Sequence, residues 1–392
     1  MLVHVPAFSV VEHSGDTPPY QITDSSGTVE ESVSAFLRDL IASDRSPATV
    51  KTYVFALCAW LNFLHSRCKS WQSATREELR DYVLFLRSAE NPYRFRHRPG
   101  APEPGGVNPR TGKPSLAAGY KPATINHRLS VIHSFYAFQQ HVTQDQTFAL
   151  SLVDRRRNAH HNPLEPWPQQ RRGLYRQRQP KRVPRALTDE LWAEVFDALQ
   201  HDRDRAILCL LVSSGSRAQE LLSMKGGDVD WGQQRVRLIC KGTRDESWVA
   251  ASPEFFRWLA AYLTARCPLT PNSPLWVTLR KPQRPLGYTA LRAILTRVNE
   301  RLGTNITAHD FRHTCALRLA SDPTISLVDI QTHLRHRHIT TTEAYLVAQP
   351  DEVIKRLQAR PSDRSAEKPA VAGWEYDAND LDLLLGNGGR NS

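Results

Sequence analysis

Apolar residues recur at helical spacing through most of the chain, in blocks bounded by capping residues. Thr28 with Glu31 has the form of a capping box, behind which Val29, Val33, Phe36, Leu37, Leu40 and Ile41 share one helix face. Ser46-Pro47 sets an N-cap before a first-turn proline and leads into Val50, Tyr53, Val54, Leu57, Leu61 and Leu64. Thr75 with Glu78 opens a third helix through Leu79, Tyr82, Val83 and Leu86. Lys121-Pro122 opens a fourth, with Ile125, Leu129, Ile132, Phe135 and Phe138 along one side. Between these two, residues 91–115 are rich in Pro, Gly and Arg and predict a mobile loop. The pattern predicts a small all-helical domain over residues 30–150, with 1–29 as an extension and the aromatics serving its core.

The pattern changes from residue 183 onward. Thr188 caps a helix through Leu191, Trp192, Val195, Phe196 and Leu199, and residues 206–212 form a continuous apolar run too hydrophobic for a surface helix. Residues 235–240 alternate in polarity, and 247–251 can pair with them across Gly242-Thr243-Arg244-Asp245. Further helices follow over a domain spanning 183–362, and no internal repeat is visible. The predicted fold class is mainly α: an N-terminal helical domain, then a C-terminal mixed α+β domain with a small antiparallel sheet.

Composition narrows the classes. Of 392 residues, 40% are hydrophobic and 23% charged, enough for substantial cores. No run approaches the roughly 18 apolar residues that cross a bilayer, and Met1-Leu2-Val3-His4-Val5-Pro6 lacks the features of a secretory signal. Cys58, Cys68, Cys209, Cys240, Cys267 and Cys315 are scattered without a C-x-x-C pair, so neither a disulfide scaffold nor a zinc ribbon is expected. The expected compartment is a reducing cytoplasm.

The 51 Lys+Arg against 40 Asp+Glu leave a net charge of +11, unevenly spread. Arg155, Arg156, Arg157, Arg171, Arg172, Arg176, Arg178, Lys181, Arg182 and Arg185 face only one acid, Glu165, across that stretch. Pro163, Pro166, Pro168, Pro180 and Pro184 keep it extended, so residues 151–182 predict a basic linker. It reads either as a solvated connector or as a strap along the phosphate backbone of a nucleic acid, since phosphates favour cations. Residues 363–392 form a tail of opposite character, with Glu375, Asp377, Asp380 and Asp382 beside Leu383-Leu384-Leu385. That tail reads as disorder, as docking on its own domain, or as a segment that packs on a neighbouring copy.

Chemistry-bearing residues concentrate in the second domain. In Ser214-Gly215-Ser216-Arg217-Ala218-Gln219-Glu220, Arg217 follows a glycine break and Glu220 lies one turn on, positioned to orient its guanidinium. Lys241 ends the alternating strand at a hairpin tip. His309-Asp310-Phe311-Arg312 sets an imidazole and a guanidinium on one helix face. His336 and Tyr345 flank the break Thr340-Thr341-Thr342, suited to starting a short helix. Taken singly, these are an ion pair, a solvated tip, a capped helix start and a core aromatic.

Their order and spacing are what resemble the tyrosine recombinases, the family of phage integrases, Xer recombinases and Cre. The resemblance is close over residues 183–350 and extends to the helical domain, which looks like the family's core-binding (SAM-like) domain. It implies catalytic roles for Arg217, Lys241, His309, Arg312, His336 and Tyr345, with Glu220 supporting Arg217. Tyr345 would be the nucleophile, Lys241 the general acid for the leaving 5′-oxygen, His309 a general acid/base and His336 a donor to the phosphate. One departure stands out: where the family has Leu-Gly-His, this chain has Leu334-Arg335-His336.

These residue types suit the reaction on physical grounds. Cleaving a phosphodiester without metal or nucleotide requires cations on the non-bridging oxygens, and arginine forks provide them. A free tyrosine titrates near a pH of about 10, a gap of roughly 4 kcal/mol at neutral pH that nearby cations can narrow. Storing the bond as a phosphotyrosine removes the need for ATP. A zinc reading of His309, His313, His333, His336 and His338 is opposed by the interleaved Arg312, Arg335 and Arg337, so neither metal nor cofactor is expected.

The resulting expectation is a mobile-element integrase or transposase acting on double-stranded DNA. It would be a monomer or dimer when free and a tetramer in the synapse, working with or without accessory recombination proteins and without a membrane. Open alternatives are a Xer-type chromosome-dimer resolvase, a type IB topoisomerase, or a DNA-binding regulator without catalysis. Replacing Arg171 and Arg172 together with Ala should flatten the salt dependence of DNA binding. The slope of log affinity against log salt should fall by about 0.9 for every phosphate that the pair neutralises; an unchanged slope means that this pair touches no phosphate.

Overall fold

The computed structural model describes residues 6–13, 15, 18–91, 103–143, 153–154, 172–179, 185–240, 245–264, 269–336 and 339–346. Lys241, the linker residues Arg155, Arg156, Arg157, Arg171, Lys181 and Arg182, the residues from 347 on and the acidic tail lie outside them.

The chain opens with a hairpin of β1 (Phe8–Glu12) and β2 (Tyr20–Asp24), paired antiparallel with Val10 opposite Ile22. Four helices follow: α1 (Glu31–Ala42), α2 (Pro47–His65), α3 (Arg76–Ser88) and α4 (Pro122–Thr143). Local chemistry explains most boundaries. Ser46 accepts from the Thr49 amide ahead of Pro47, and Thr75 and Glu78 form a reciprocal capping box. Thr28 departs from expectation. The N-cap of α1 is Glu30, while the Thr28 amide donates to the Asp24 side chain at 2.9 Å, closing the turn after β2. The hairpin takes up the residues that the capping-box reading assigned to the helix.

The aromatics of this domain do pack inward. Trp60, Tyr82 and Phe135 are fully buried, with Trp60 edge-on to Tyr82 at 5.1 Å. Tyr136 donates to the Trp71 carbonyl at 2.6 Å, so its buried hydroxyl is satisfied. Ile22 of the hairpin is also buried in this core. After α4, two-residue strands β3 (Val153–Asp154) and β4 (Arg172–Gly173) pair antiparallel. Leu174 then buries in the same core, and Gln177 and the Asn126 side chain exchange hydrogen bonds of 2.7 and 2.9 Å. The described end of the basic stretch is thus seated on α4, with Arg176 and Arg178 exposed beside it.

The second domain begins with α5 (Asp189–Asp197), capped by Thr188, and α6 (Asp202–Ser214). Helix α6 is the apolar run seen in the sequence, and it is buried nearly end to end. Even its charged start is internal: Arg203 and Asp204 pair at 2.6 Å. The short α7 (Ala218–Leu222) leads to a three-stranded antiparallel sheet of β5 (Val229–Asp230), β6 (Arg235–Ile239) and β7 (Glu246–Ala250), in that order. Val236 and Val249 face each other across it and both point into the core. The remaining helices are α8 (Pro253–Thr264), α9 (Tyr288–Leu302), α10 (Ala308–Ser321), α11 (Leu327–Leu334) and α12 (Ile339–Leu346). No helix among the described residues is long and apolar enough to cross a membrane.

The segment between α3 and α4 corrects an expectation. Its composition predicts a mobile loop over 91–115, but residues 103–115 form a turn docked on the second domain. Asn108 accepts from the amides of Arg110 and Thr111 at 3.0 Å each, shaping the turn. Arg110 reaches Glu194 at 2.5 Å and the Leu302 carbonyl at 2.8 Å, and the Asn305 amide donates to the Lys113 carbonyl at 3.0 Å. Lys113 ends the series at 2.6 Å from Asp310, next to His309. Proline, glycine and arginine made the segment polar and irregular without making it free. Partners distant in sequence order it.

Candidate active site

The site is assembled where α6, α10 and α11 end or begin. Gly215 terminates α6 in the left-handed region, at φ 56°. A Cβ there would lie 2.5 Å from Leu334 Cδ2, so both backbone and space select glycine. The turn delivers Arg217 to the N-cap of α7. Its amide donates to Glu220 Oε2 at 3.0 Å and its guanidinium to Oε1 at 2.6 Å. The Glu220 side chain is fully buried, while that of Arg217 is 43% exposed, leaving the rest of its fork accessible.

Arg335 completes this arrangement. It sits at φ 56°, where glycine is normally preferred, which accounts for the family's glycine at this position. Its side chain is buried and donates to Glu220 Oε2 at 3.0 Å and to the His333 carbonyl at 2.7 Å. Glu220 therefore bridges two guanidiniums. Burial pushes its carboxyl up, but Arg335 and then the Arg217 contacts outweigh this and hold it below the usual carboxylate range.

Arg312, from the first turns of α10, is 2% exposed and donates to the carbonyls of Gly215 and Leu334. Those carbonyls close the C-terminal ends of α6 and α11, where the helix dipoles favour a cation. Burial, then the like charges of Arg217 and Arg335, bring its guanidinium down to about 10, still cationic at neutral pH.

The histidines surround these arginines. His309 is exposed on the first turn of α10; packing around its ring and then the Arg312 charge hold it below its ordinary value. His336 is buried, with Nδ1 2.9 Å from the Thr342 hydroxyl. Burial, then Arg312 and Arg217, push it down to about 4, so its ring is neutral near pH 7. In the tautomer where Thr342 donates to Nδ1, Nε2 keeps the proton and is available as a donor. His333 is 2.9 Å from the Ser213 carbonyl, a structural contact.

Tyr345 on α12 is 4% exposed and packs with Cys315, Leu317 and Leu334. Its ring lies parallel to His336 at 6.2 Å, and its hydroxyl is 2.9 Å from His313 Nδ1. Burial raises the phenol above its ordinary value, while Arg312 and Arg217 act in the opposite direction without prevailing. Before DNA binds, the cations narrow the deprotonation gap less than burial widens it.

Arg217, Glu220, His309, Arg312, His336 and Tyr345 are thus brought into one region, and Lys241 lies outside the described residues. Sequence reasoning treated Arg335 as a missing glycine and as a charge opposing zinc, and His313 only as a zinc alternative. For Arg335 the signal was conformational, because any residue in the glycine's place must adopt its backbone. For His313 it was the spacing of one helical turn after His309.

The fold and site together define a two-domain architecture for cutting and rejoining DNA strands. Residues 186–352 match the phage integrase family, and residues 33–92 match the phage integrase N-terminal SAM-like domain. The chain belongs to the phage integrase family of tyrosine recombinases, which cleave and rejoin DNA at specific sites. Transposase A from transposon Tn554 of Staphylococcus aureus is 23% identical over 356 residues, covering 86% of this chain and 92% of that protein. Tyrosine recombinase XerC of Staphylococcus epidermidis is 24% identical over 331 residues, covering 82% and 94%. The fold is shared with XerH bound to a palindromic difH substrate in a post-cleavage complex, at TM-score 0.57 and 13% identity over 86% of this chain and 91% of that one.

Glu220→Gln tests the electrostatic core. It keeps the shape but leaves buried Arg335 without a countercharge, which should cost about 3 kcal/mol or more. Because the Glu220 carboxyl is held low, its contribution is present above the unfolded carboxyl's titration and is lost as pH falls through the folded value. Urea unfolding should therefore show a large deficit at neutral pH that shrinks in acid. A variant as stable as the parent at neutral pH contradicts the assignment.

Proposed function

We propose that this chain is the recombinase of a mobile element, an integrase or transposase, and that Tyr345 is its nucleophile. The observation that carries this reading is the gathering of Tyr345, parallel to His336 at 6.2 Å, with Arg217, Glu220 and Arg312 where α6, α10 and α11 meet. The Tyr345 oxygen attacks the scissile phosphorus, the P–O5′ bond breaks, and the strand is held as a 3′-phosphotyrosine. A 5′-hydroxyl from the partner strand reverses the step, so no ATP is consumed.

Arg217 and Arg312 clamp the non-bridging oxygens where charge accumulates, and Glu220 orients Arg217. His336 donates from Nε2 to the phosphate. Lys241 protonates the leaving 5′-oxygen, and His309 assists as an acid/base group beside the phosphate. Neither metal nor cofactor enters this scheme.

The domain assignment follows the sequence: 30–150 binds core DNA, 151–182 straps the backbone with its arginines, 183–362 carries catalysis, and 363–392 contacts a neighbouring copy. The working form is a cytoplasmic tetramer on two DNA sites. Similarity over most of its length to a transposon's transposase supports the mobile-element role. Similarity to XerC supports chromosome-dimer resolution as the second reading.

A nicked suicide substrate should trap an SDS-resistant protein–DNA adduct without added Mg²⁺. Tyr345→Phe should abolish it while duplex binding, followed by gel shift, persists. An adduct that survives in Tyr345→Phe assigns the nucleophile elsewhere, and joint loss of binding makes Tyr345 structural.

A further inference from the structure

The reaction requires the phenol proton to leave as the Tyr345 oxygen bonds to phosphorus, and the position of His309 does not provide the contact. Its ring lies edge-on to His313 at 4.3 Å, one turn along α10. Among the described hydrogen bonds, the partner of the Tyr345 hydroxyl is His313, through Nδ1 at 2.9 Å.

We infer that His313 is the proton acceptor for Tyr345, taking the phenol proton on Nδ1 as the Oη–P bond forms. This rests on the reading of Tyr345 as nucleophile and adds a catalytic residue to it. The P–O5′ bond breaks in the same step, and the 5′-oxygen takes its proton from a separate donor. The strand is left esterified and His313 protonated. When a 5′-hydroxyl attacks in the rejoining direction, that proton returns to the departing phenol.

The surroundings of His313 keep its ring unprotonated before substrate arrives. The charged and titratable groups facing it are His309, Asp310 and Arg312 from α10, Lys113 from the docked 103–115 segment, and Tyr345 from α12. Burial, then His309, push its imidazole down to about 4, with Asp310 opposing. The ring is consequently neutral at neutral pH, and in its Nε2–H tautomer Nδ1 is the acceptor for the phenol O–H. A bound phosphodiester adds negative charge beside this ring and stabilises the imidazolium that proton transfer creates. His313 also borders a cavity of about 1080 Å³ shared with Lys113 and Arg185, a route for the proton to reach solvent or for a small base to enter.

Single-turnover cleavage of the nicked substrate tests the proposal in wild type, His313→Asn and His313→Ala. Asn keeps a hydrogen-bond acceptor beside the phenol but cannot take up a proton. His313→Asn should bind duplex DNA normally yet cleave about 10²-fold more slowly. Its rate should climb about tenfold per pH unit as free phenolate replaces assisted attack, where the wild type is flat from neutral to mildly alkaline pH. Added imidazole should restore cleavage to His313→Ala. If His313→Asn cleaves at the wild-type rate, or is slow with an unaltered pH profile while imidazole fails to rescue His313→Ala, proton acceptance by His313 is overturned. Absence of any adduct from the wild type would instead sink the nucleophile reading itself.

Discussion

The site depends on one electrostatic compromise: like charges gathered in a small volume before their anionic partner arrives. Arg217 and Arg335 crowd Arg312, whose guanidinium is brought down to about 10 by burial and then by these two neighbours. The fold opposes this repulsion in two ways. Glu220 is shared between Arg217 and Arg335, and the carbonyl ends of α6 and α11 receive Arg312. The cations are then fixed before substrate binds, so their reorganisation does not fall on the chemical step.

Burial, with the same positive field behind it, sets the protonation of the histidines. His313 and His336 are both pushed to about 4, first by burial and then by the nearby cationic and imidazole groups. Neutral imidazoles have one donor and one acceptor nitrogen, so each ring has a defined direction. His336 meets the Thr342 hydroxyl through Nδ1, and His313 meets the Tyr345 hydroxyl through Nδ1. The negative charge of a phosphodiester acts on both rings and on the phenol, linking substrate arrival to proton movement.

Much of this was legible in the chain because it is local. The caps at Ser46, Thr75 and Thr188 are short-range hydrogen bonds written in adjacent residues, and the β6–β7 alternation follows from one buried face. The spacing of Arg217, His309, Arg312, His336 and Tyr345 conveyed their proximity only through resemblance to a family, since no local rule joins residues so far apart. What escaped was decided by long-range contacts. Thr28 has the right neighbours for a cap, but the β2 turn claims it. The 103–115 segment has a loop's composition, yet Glu194, Asn305 and Asp310 hold it in place. Arg335 and His313 carry ordinary identities, and only the placement of Glu220 and Tyr345 gives them work.

The central claim is that the Tyr345 oxygen becomes esterified to the 3′ side of the broken strand. The most direct measurement is tandem mass spectrometry of the trapped adduct after digestion with nuclease and trypsin. The expected product is a residual nucleotide joined through its 3′-phosphate to the tryptic peptide that contains Tyr345. A nucleotide on any other peptide, or one joined through a 5′-phosphate, would contradict it.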